Sequence, residues 1–263
     1  MNDPIIQTVL LGIIEGITEF LPISSTGHLL IAEKLGLGAR SDLFNIVIQA
    51  GAILAVTVIY WQRLWNLLVG LKQSENRSYA LKLMLSFVIT AILGYLLISK
   101  LGFKLPEQIQ PIAWALIIGG IWILAAEWLA AKRPDHPEIT WLGAIVVGVM
   151  QIVAGVFPGT SRSGATIFSA MLVGGTSRVA ATEFAFLVGI PTMYAASASQ
   201  LLKAAKAGTG VDDWTQLIVG FLVSAIVAFT VVKWLLRYIQ THRFTLFAWY
   251  RIVAGILLLA FLK

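Results

Sequence analysis

Glu15 and Glu19 stand four residues apart in an otherwise apolar run, and Ser24, Ser25, Thr26 and His28 follow within the next nine residues. These are groups that move protons or attack electrophiles. A hydroxyl becomes a nucleophile when a base takes its proton, and a carboxylate or an imidazole can be that base. On a helix, the four-residue spacing stacks both glutamates on one face. Like charges there repel and are costly in apolar surroundings, which points to a site. Two such carboxylates can share protons unequally, one donating while the other accepts. They can equally hold Mg²⁺ or Ca²⁺ beside phosphate oxygens, and the residues alone leave both roles open. The plain alternative is a helix cap after a proline loop, with two tolerated glutamates.

A second cluster supplies what the first lacks. Gly159-Thr160-Ser161-Arg162-Ser163-Gly164 is a small-residue loop with one permanent cation, leading into an apolar helix with Thr166 in its first turns. Backbone amides at a helix N-terminus point at an anion, and the helix dipole favours negative charge there. The Arg162 guanidinium is a planar fork suited to phosphate oxygens, with Ser161, Ser163 and Thr166 as further donors. Alternatively Arg162 snorkels, or pairs with Glu15 or Glu19 for structure. If the two clusters meet, Arg162 and the loop amides hold a phosphate, and Glu15, Glu19, Ser25 and His28 face it.

The elements that must position these groups lie in a membrane. The chain has 263 residues, 58% of them hydrophobic and only 12% charged, against about 25% charged in ordinary soluble domains. The expectation is an all-α polytopic membrane helix bundle forming one domain over 1–263. The +6 net charge fits loops against anionic lipid. Basic residues are scattered, so no nucleic-acid patch is expected. Cysteine is absent, which removes disulfides and thiolate chemistry. No signal peptide is evident at the start of the sequence.

In order, the pattern predicts a short helix at 5–21 broken at Leu21-Pro22 and a second at 24–36. Spans follow at 43–61, 80–99 and 111–131. A short helix at 141–157 then breaks at Phe157-Pro158-Gly159 and continues to about 174. The last spans are 179–201, 215–236 and 246–262. Loops are expected around 62–82 and 132–140, and around Lys203, Lys206, Asp212 and Asp213. Proline explains each break, and non-helical backbone at membrane depth persists only around protein or a water-filled cavity.

The two broken hairpins resemble one another. Gly12-x-x-Glu15 with Pro22-x-Ser24-Ser25 matches Gly148-x-x-Gln151 with Pro158-x-Thr160-Ser161. Three spans separate them, so they enter from opposite faces as two re-entrant hairpins. That is an inverted-topology repeat, with halves of about 1–131 and 132–263 and the breaks meeting near the midplane. If 62–82, 132–140 and 237–243 are cytoplasmic, ten Lys and Arg lie on that side against seven on the other, a modest bias toward this orientation. Of the other polar residues, Glu183 and Gln49 either cap helices or line the cavity. Glu127 is expected to snorkel to the headgroups. The aromatic clusters at 61–65 and 244–250 read as interface belts.

Gly-x-x-Glu-Gly-x-Thr-Glu-Phe-Leu-Pro-x-Ser-Ser-Thr-Gly-His at 12–28, with Pro-Gly-x-Ser-Arg-Ser-Gly-Ala-Thr at 158–166, resembles the undecaprenyl-diphosphate phosphatases, the bacitracin-resistance proteins of bacteria. Thr-Glu-Phe-Ala-Phe-Leu at 182–187 and Phe-Ala-x-Tyr-Arg at 247–251 also look like that family, so the resemblance covers nearly the whole chain. It implies an inner-membrane enzyme that removes the terminal phosphate of the C55 isoprenyl diphosphate. The product is the monophosphate carrier reused in cell-wall synthesis, and bacitracin loses the diphosphate it captures.

The resemblance further implies Glu15, Glu19, Ser25, His28 and Arg162 as catalytic residues. Substrate-binding groups would be Ser24, Thr26, Gly159, Ser161, Arg162, Ser163 and Thr166. It also implies a divalent cation, Mg²⁺ or Ca²⁺, on Glu15 and Glu19, and a site facing the periplasm. Ser25, activated by Glu19, is the expected nucleophile, with His28 as the rival. Thr160 departs from the pattern, since an aromatic residue can stand there. The expected partners are the isoprenyl diphosphate and membrane lipids. A homodimer is an open expectation, for no stretch reads as a dimer face. The competing function is transport of the isoprenyl phosphate carrier, because broken helices in inverted repeats are also transporter features.

Overall fold

Leu21-Pro22 and Phe157-Pro158 each stop a helix, because the proline ring removes a donor and disfavours helical geometry at the residue before it. The structure, a computed structural model, describes residues 3–38, 40–97, 108–207 and 213–261. In it α1 (Pro4–Thr18) ends before the first proline and α2 (Ser25–Ala32) begins after it, continuing into a π-helical stretch at Glu33–Leu37. Around the second proline lie α7 (Trp141–Val156) and α8 (Arg162–Gly174). Between the hairpins run α3 (Asp42–Ile59), α4 (Trp61–Val69), α5 (Ser74–Tyr95) and α6 (Ile109–Ala130). After them come α9 (Arg178–Ala207), α10 (Trp214–Thr241) and α11 (Thr245–Phe261).

Every regular element among the described residues is helical. Helices α3, α5, α6, α9 and α10 are long and apolar enough to cross a membrane. The chain is therefore a multi-pass all-α bundle. The expected last span is matched by α11, whose 17 residues give about 25 Å of rise, a little short of the apolar core.

The two halves pack by exchange. Helix α1 lies on α10 of the other half, while its counterpart α7 lies on α5, the counterpart of α10. In the same way α3 packs on α10 and α9 on α5. Small residues permit the close approach, as is usual where lipid supplies no hydrophobic drive between helices. A Cβ at Gly16 would sit 2.8 Å from the Ser224 carbonyl oxygen on α10, and one at Gly148 2.8 Å from the Ser86 carbonyl oxygen on α5. The main core cluster draws on both halves, with Phe20, Ile53 and Ile123 beside Phe168, Phe186 and Phe244.

Several local expectations need correction. The predicted 62–82 loop contains α4, whose Trp61, Trp65, Leu68 and Val69 are exposed along one side. Lys203 and Lys206 ride on the last turns of α9, because that apolar helix runs on past 201. Asp213 caps α10 by accepting from the Thr215 and Gln216 amides. Asp212, and the predicted loop with Lys100 and Lys104, lie outside the described residues. Glu127 does not snorkel. It is 1% exposed, held by two nitrogens of Arg178 at 2.8–3.1 Å, and accepts the Phe244 amide at 2.9 Å. A carboxylate with that many charge-assisted donors tolerates burial. The 244–250 cluster is not a belt throughout. Phe244 and Phe247 are buried, and Phe244 meets Phe168 edge-on at 5.2 Å, because this stretch turns α11 back onto the core.

Candidate active site where the two breaks meet

The strained backbone marks the place. Among the described residues, Ser24 and Ser161 alone combine a side chain with positive φ, at 75° and 71°. A non-glycine residue in such a region costs on the order of 1–3 kcal/mol and clusters at functional sites. Each serine N-caps the helix that follows, accepting from Gly27 N at 3.4 Å and from Gly164 N at 3.2 Å. The structural equivalence is thus Ser24 with Ser161, one residue out of the register suggested by the sequence match. From the proline to the capping serine the second break is one residue longer, and Arg162 stands where the first half has Ser25.

The breaks touch. Ser163 Oγ donates to the Leu21 carbonyl at 3.0 Å. From the first break, the Ser25 hydroxyl donates to Glu19 Oε2. From the second, Arg162 Nη2 donates to Glu19 Oε1 at 3.1 Å. A hydroxyl, a carboxylate and a guanidinium therefore form one line of hydrogen bonds, with the carboxylate oriented from behind. Such a line is the structural signature of an activated nucleophile. Arg162 lies 5.9 Å from the buried Phe20 ring, and Gly189 on α9 leaves it room. A Cβ there would fall 2.2 Å from Nη1.

Glu15 is fully buried, and neither of its carboxylate oxygens has a hydrogen-bond partner among the described residues. An orphaned buried carboxylate one turn from Glu19 suits a divalent cation. No group of three His, Cys, Asp or Glu gathers among the described residues. Glu15 would be the main protein donor to such a cation, since both Glu19 oxygens already accept from Ser25 and Arg162, and phosphate and water oxygens would complete the shell.

His28 is held at both ring nitrogens. Nδ1 lies 2.7 Å from the Ser24 carbonyl and Nε2 2.6 Å from the Tyr250 hydroxyl. A carbonyl only accepts, so Nδ1 carries the hydrogen and Nε2 of the neutral ring accepts from Tyr250. The two rings stack at 5.6 Å. His28 thereby fixes the strained serine and ties α2 to α11.

The remaining hydroxyls divide. Thr166 donates to the Arg162 and Ser163 carbonyls, and Ser161 and Ser163 bond each other at 3.1 Å, so these stiffen the second break. Thr26 is exposed beside the first, and Gly159 has φ 96°, which favours glycine. Glu183 sits apart from the site, pairing with Arg63 at 3.0 Å and Tyr79 at 3.3 Å. Gln49 is half-buried on α3.

Arg251 was part of a recognisable stretch but had no assigned role. It is 0% exposed, with every nitrogen donating to a backbone carbonyl. The sequence signal was an arginine inside the last apolar run, where an intramembrane charge points to function.

The family described as bacitracin resistance protein BacA matches residues 8–257. An undecaprenyl-diphosphatase of Rhizobium etli is 68% identical over 255 residues, 97% of this chain and 96% of that protein. Another from Xanthomonas oryzae pv. oryzae is 58% identical over 263 residues, 100% of this chain and 98% of its own.

Proposed function

The chain belongs to the bacitracin resistance protein BacA family, and from that premise we propose that it hydrolyses undecaprenyl diphosphate to the monophosphate carrier and inorganic phosphate. The observation that carries this reading is the Ser25–Glu19–Arg162 line across the two breaks.

Two helix N-termini, α2 and α8, begin at the junction, and their first amides and dipoles favour an anionic group. In this reading Arg162 turns from Glu19 toward the diphosphate when substrate enters. Glu19, freed of that partner, becomes a stronger base and takes the Ser25 proton. Oγ then bonds to the terminal phosphorus while the bridging P–O bond breaks. The departing isoprenyl monophosphate takes the proton from Glu19. Water, deprotonated by the same carboxylate, attacks the phosphoserine phosphorus; the Oγ–P bond breaks, Oγ takes the proton back from Glu19, and phosphate is released. Arg162 and the loop amides hold the charge that builds on the equatorial oxygens. His28 keeps Ser24, and so Ser25, in place. A divalent cation held by Glu15 and Glu19 would neutralise phosphate charge when bound.

The test is phosphate release from a long-chain isoprenyl diphosphate by the purified chain in detergent, with and without chelator. Wild type is expected to release phosphate, Ser25→Ala to be inactive, and chelator to suppress release. Release that persists in Ser25→Ala moves the nucleophile to His28 or water. No release by folded wild type defeats the reading. In cells, wild type but not Ser25→Ala is expected to raise bacitracin resistance.

We also place the protein in the bacterial inner membrane with the site open to the periplasm, as the family resemblance implies; the basic-residue bias supports the loop orientation alone. The cysteine-free chain makes this easy to check. A membrane-impermeant maleimide should label Gln108→Cys in intact cells, and Asn66→Cys only after permeabilisation. The reverse pattern would invert the orientation.

A further inference from the structure

Arg251 donates five hydrogen bonds to carbonyl oxygens from three separate segments. Pro22 of the first break accepts at 3.0 Å, and Gly159 and Thr160 of the second at 2.8 and 3.0 Å. Ala115 and Leu116 of α6 accept at 2.9 and 3.3 Å. The side chain is 0% exposed and forms no ion pair with a carboxylate among the described residues. α6 is shaped around it. A Cβ at Gly119 would fall 2.0 Å from Nη2 and 2.6 Å from Cζ.

A buried guanidinium without a counter-charge is costly unless its donors are fully engaged. Here they are spent on the two segments that carry the chemistry. We propose that Arg251 is a positioning residue, clamping the first break to the second so that Ser25 and Glu19 keep their alignment with Arg162. The clamp also sets the direction of the break amides. In a trans peptide the C=O and the following N–H point opposite ways. Turning the Thr160 carbonyl onto Arg251 therefore faces the Ser161 amide away from it, while the Ile23 amide, likewise turned away by the Pro22 carbonyl, donates to the Leu21 carbonyl at 2.7 Å. The uncompensated charge adds a positive field behind both breaks, where a diphosphate benefits. Phe244 and Phe247, buried one turn or two before Arg251, hold this end of α11 in place.

The kinetic part of this inference rests on the proposed diphosphatase activity, and the structural part does not, so both are measured. Amide hydrogen exchange is followed in the purified full chain for wild type, Arg251→Ala, Arg251→Lys and Gly119→Ala. Gly119→Ala displaces the guanidinium without deleting it, should Arg251→Ala fail to fold. The expected result is faster exchange in segments 20–24 and 157–161 together, with the remaining helices unchanged, and an intermediate effect for Arg251→Lys. Unchanged exchange at both breaks, or a uniform rise throughout the chain, overturns the clamp.

In parallel, binding of a methylene-bridged isoprenyl diphosphonate gives the number of competent sites, and phosphate release gives kcat per site. Arg251→Ala and Gly119→Ala should keep the stoichiometry while kcat per site falls roughly 10²-fold, the scale for a misplacement of about 1 Å. Arg251→Lys should recover part of it. A kcat per competent site equal to wild type overturns the positioning role. If wild type itself releases no phosphate, the proposed activity fails, and the exchange data still decide the clamp.

Discussion

The two breaks share a geometry and divide the chemistry. Each follows a Leu-Pro or Phe-Pro stop, each carries a capping serine at positive φ, and each starts a helix at the same junction. The first break is preceded by Glu15 and followed by Ser25. At the matching places the second has Gln151 and Arg162. Gln151 donates to Thr90 at 2.8 Å across the α5–α7 contact, while neither carboxylate oxygen of Glu15 is hydrogen-bonded among the described residues. A repeated fold thus supplies two strained helix starts. In the proposed mechanism, divergence gives one the base and nucleophile and the other the cation. Neither half holds a complete site.

The strongest way to break this division is to remove the base. Glu19→Gln leaves Ser25 a neutral acceptor and Arg162 without its anionic partner. Because a positioned base contributes on the order of 10²–10⁴ in rate, kcat is expected to fall about 10³-fold, measured by phosphate release. Retention of more than a tenth of the activity would take Glu19 out of the base role. Arg162→Ala attacks the other half of the division. Losing one preorganised donor to transition-state charge costs roughly 10²–10³, seen here in kcat/KM with KM raised. Arg162→Lys should recover little, because a point charge does not replace the fork.

Gly189→Ala sharpens the comparison without touching either break. Its Cβ would lie 2.2 Å from Arg162 Nη1, and the displaced guanidinium should cost about 10-fold in kcat/KM at unchanged expression and fold. Normal kcat/KM would show that the apo position of Arg162 does not matter. The smallest effect concerns strain. Ser161→Ala loses a cap worth about 1 kcal/mol and keeps the positive φ, while Ser161→Gly loses the cap but relieves the strain. The glycine variant should therefore melt above the alanine one by roughly 2–4 °C per kcal/mol. Equal melting points would mean the serine conformation carries no strain.

Most of the fold was legible because it is written in long apolar runs and two prolines. The proline stops, the small-residue faces and the paired hydroxyl clusters each act locally, so sequence reveals them. What escaped was the pairing of distant groups. Glu127 near a helix end reads as a headgroup contact until Arg178 and the Phe244 amide are seen to converge on it. The repeat register slipped by a residue because Thr160-Ser161 mimics Ser24-Ser25 in type, whereas the capping role falls to Ser161. Arg251 had no neighbour in sequence to suggest a role, since its partners are main-chain oxygens up to 229 residues away. Helix α4 was hidden because its aromatic side and its polar side alternate too closely for a span.

The central claim is that one site is built from both halves, and the Glu19–Arg162 contact is the side-chain pair that joins the carboxylate of one to the cation of the other. A double-mutant cycle of Glu19→Asp and Arg162→Lys, read as kcat/KM for phosphate release, tests that contact directly. Groups sharing one hydrogen-bond line are strongly coupled, so the double variant is expected to lose at least 10-fold less than the product of the two single losses. Losses that simply multiply would mean the two breaks act independently and would contradict the account.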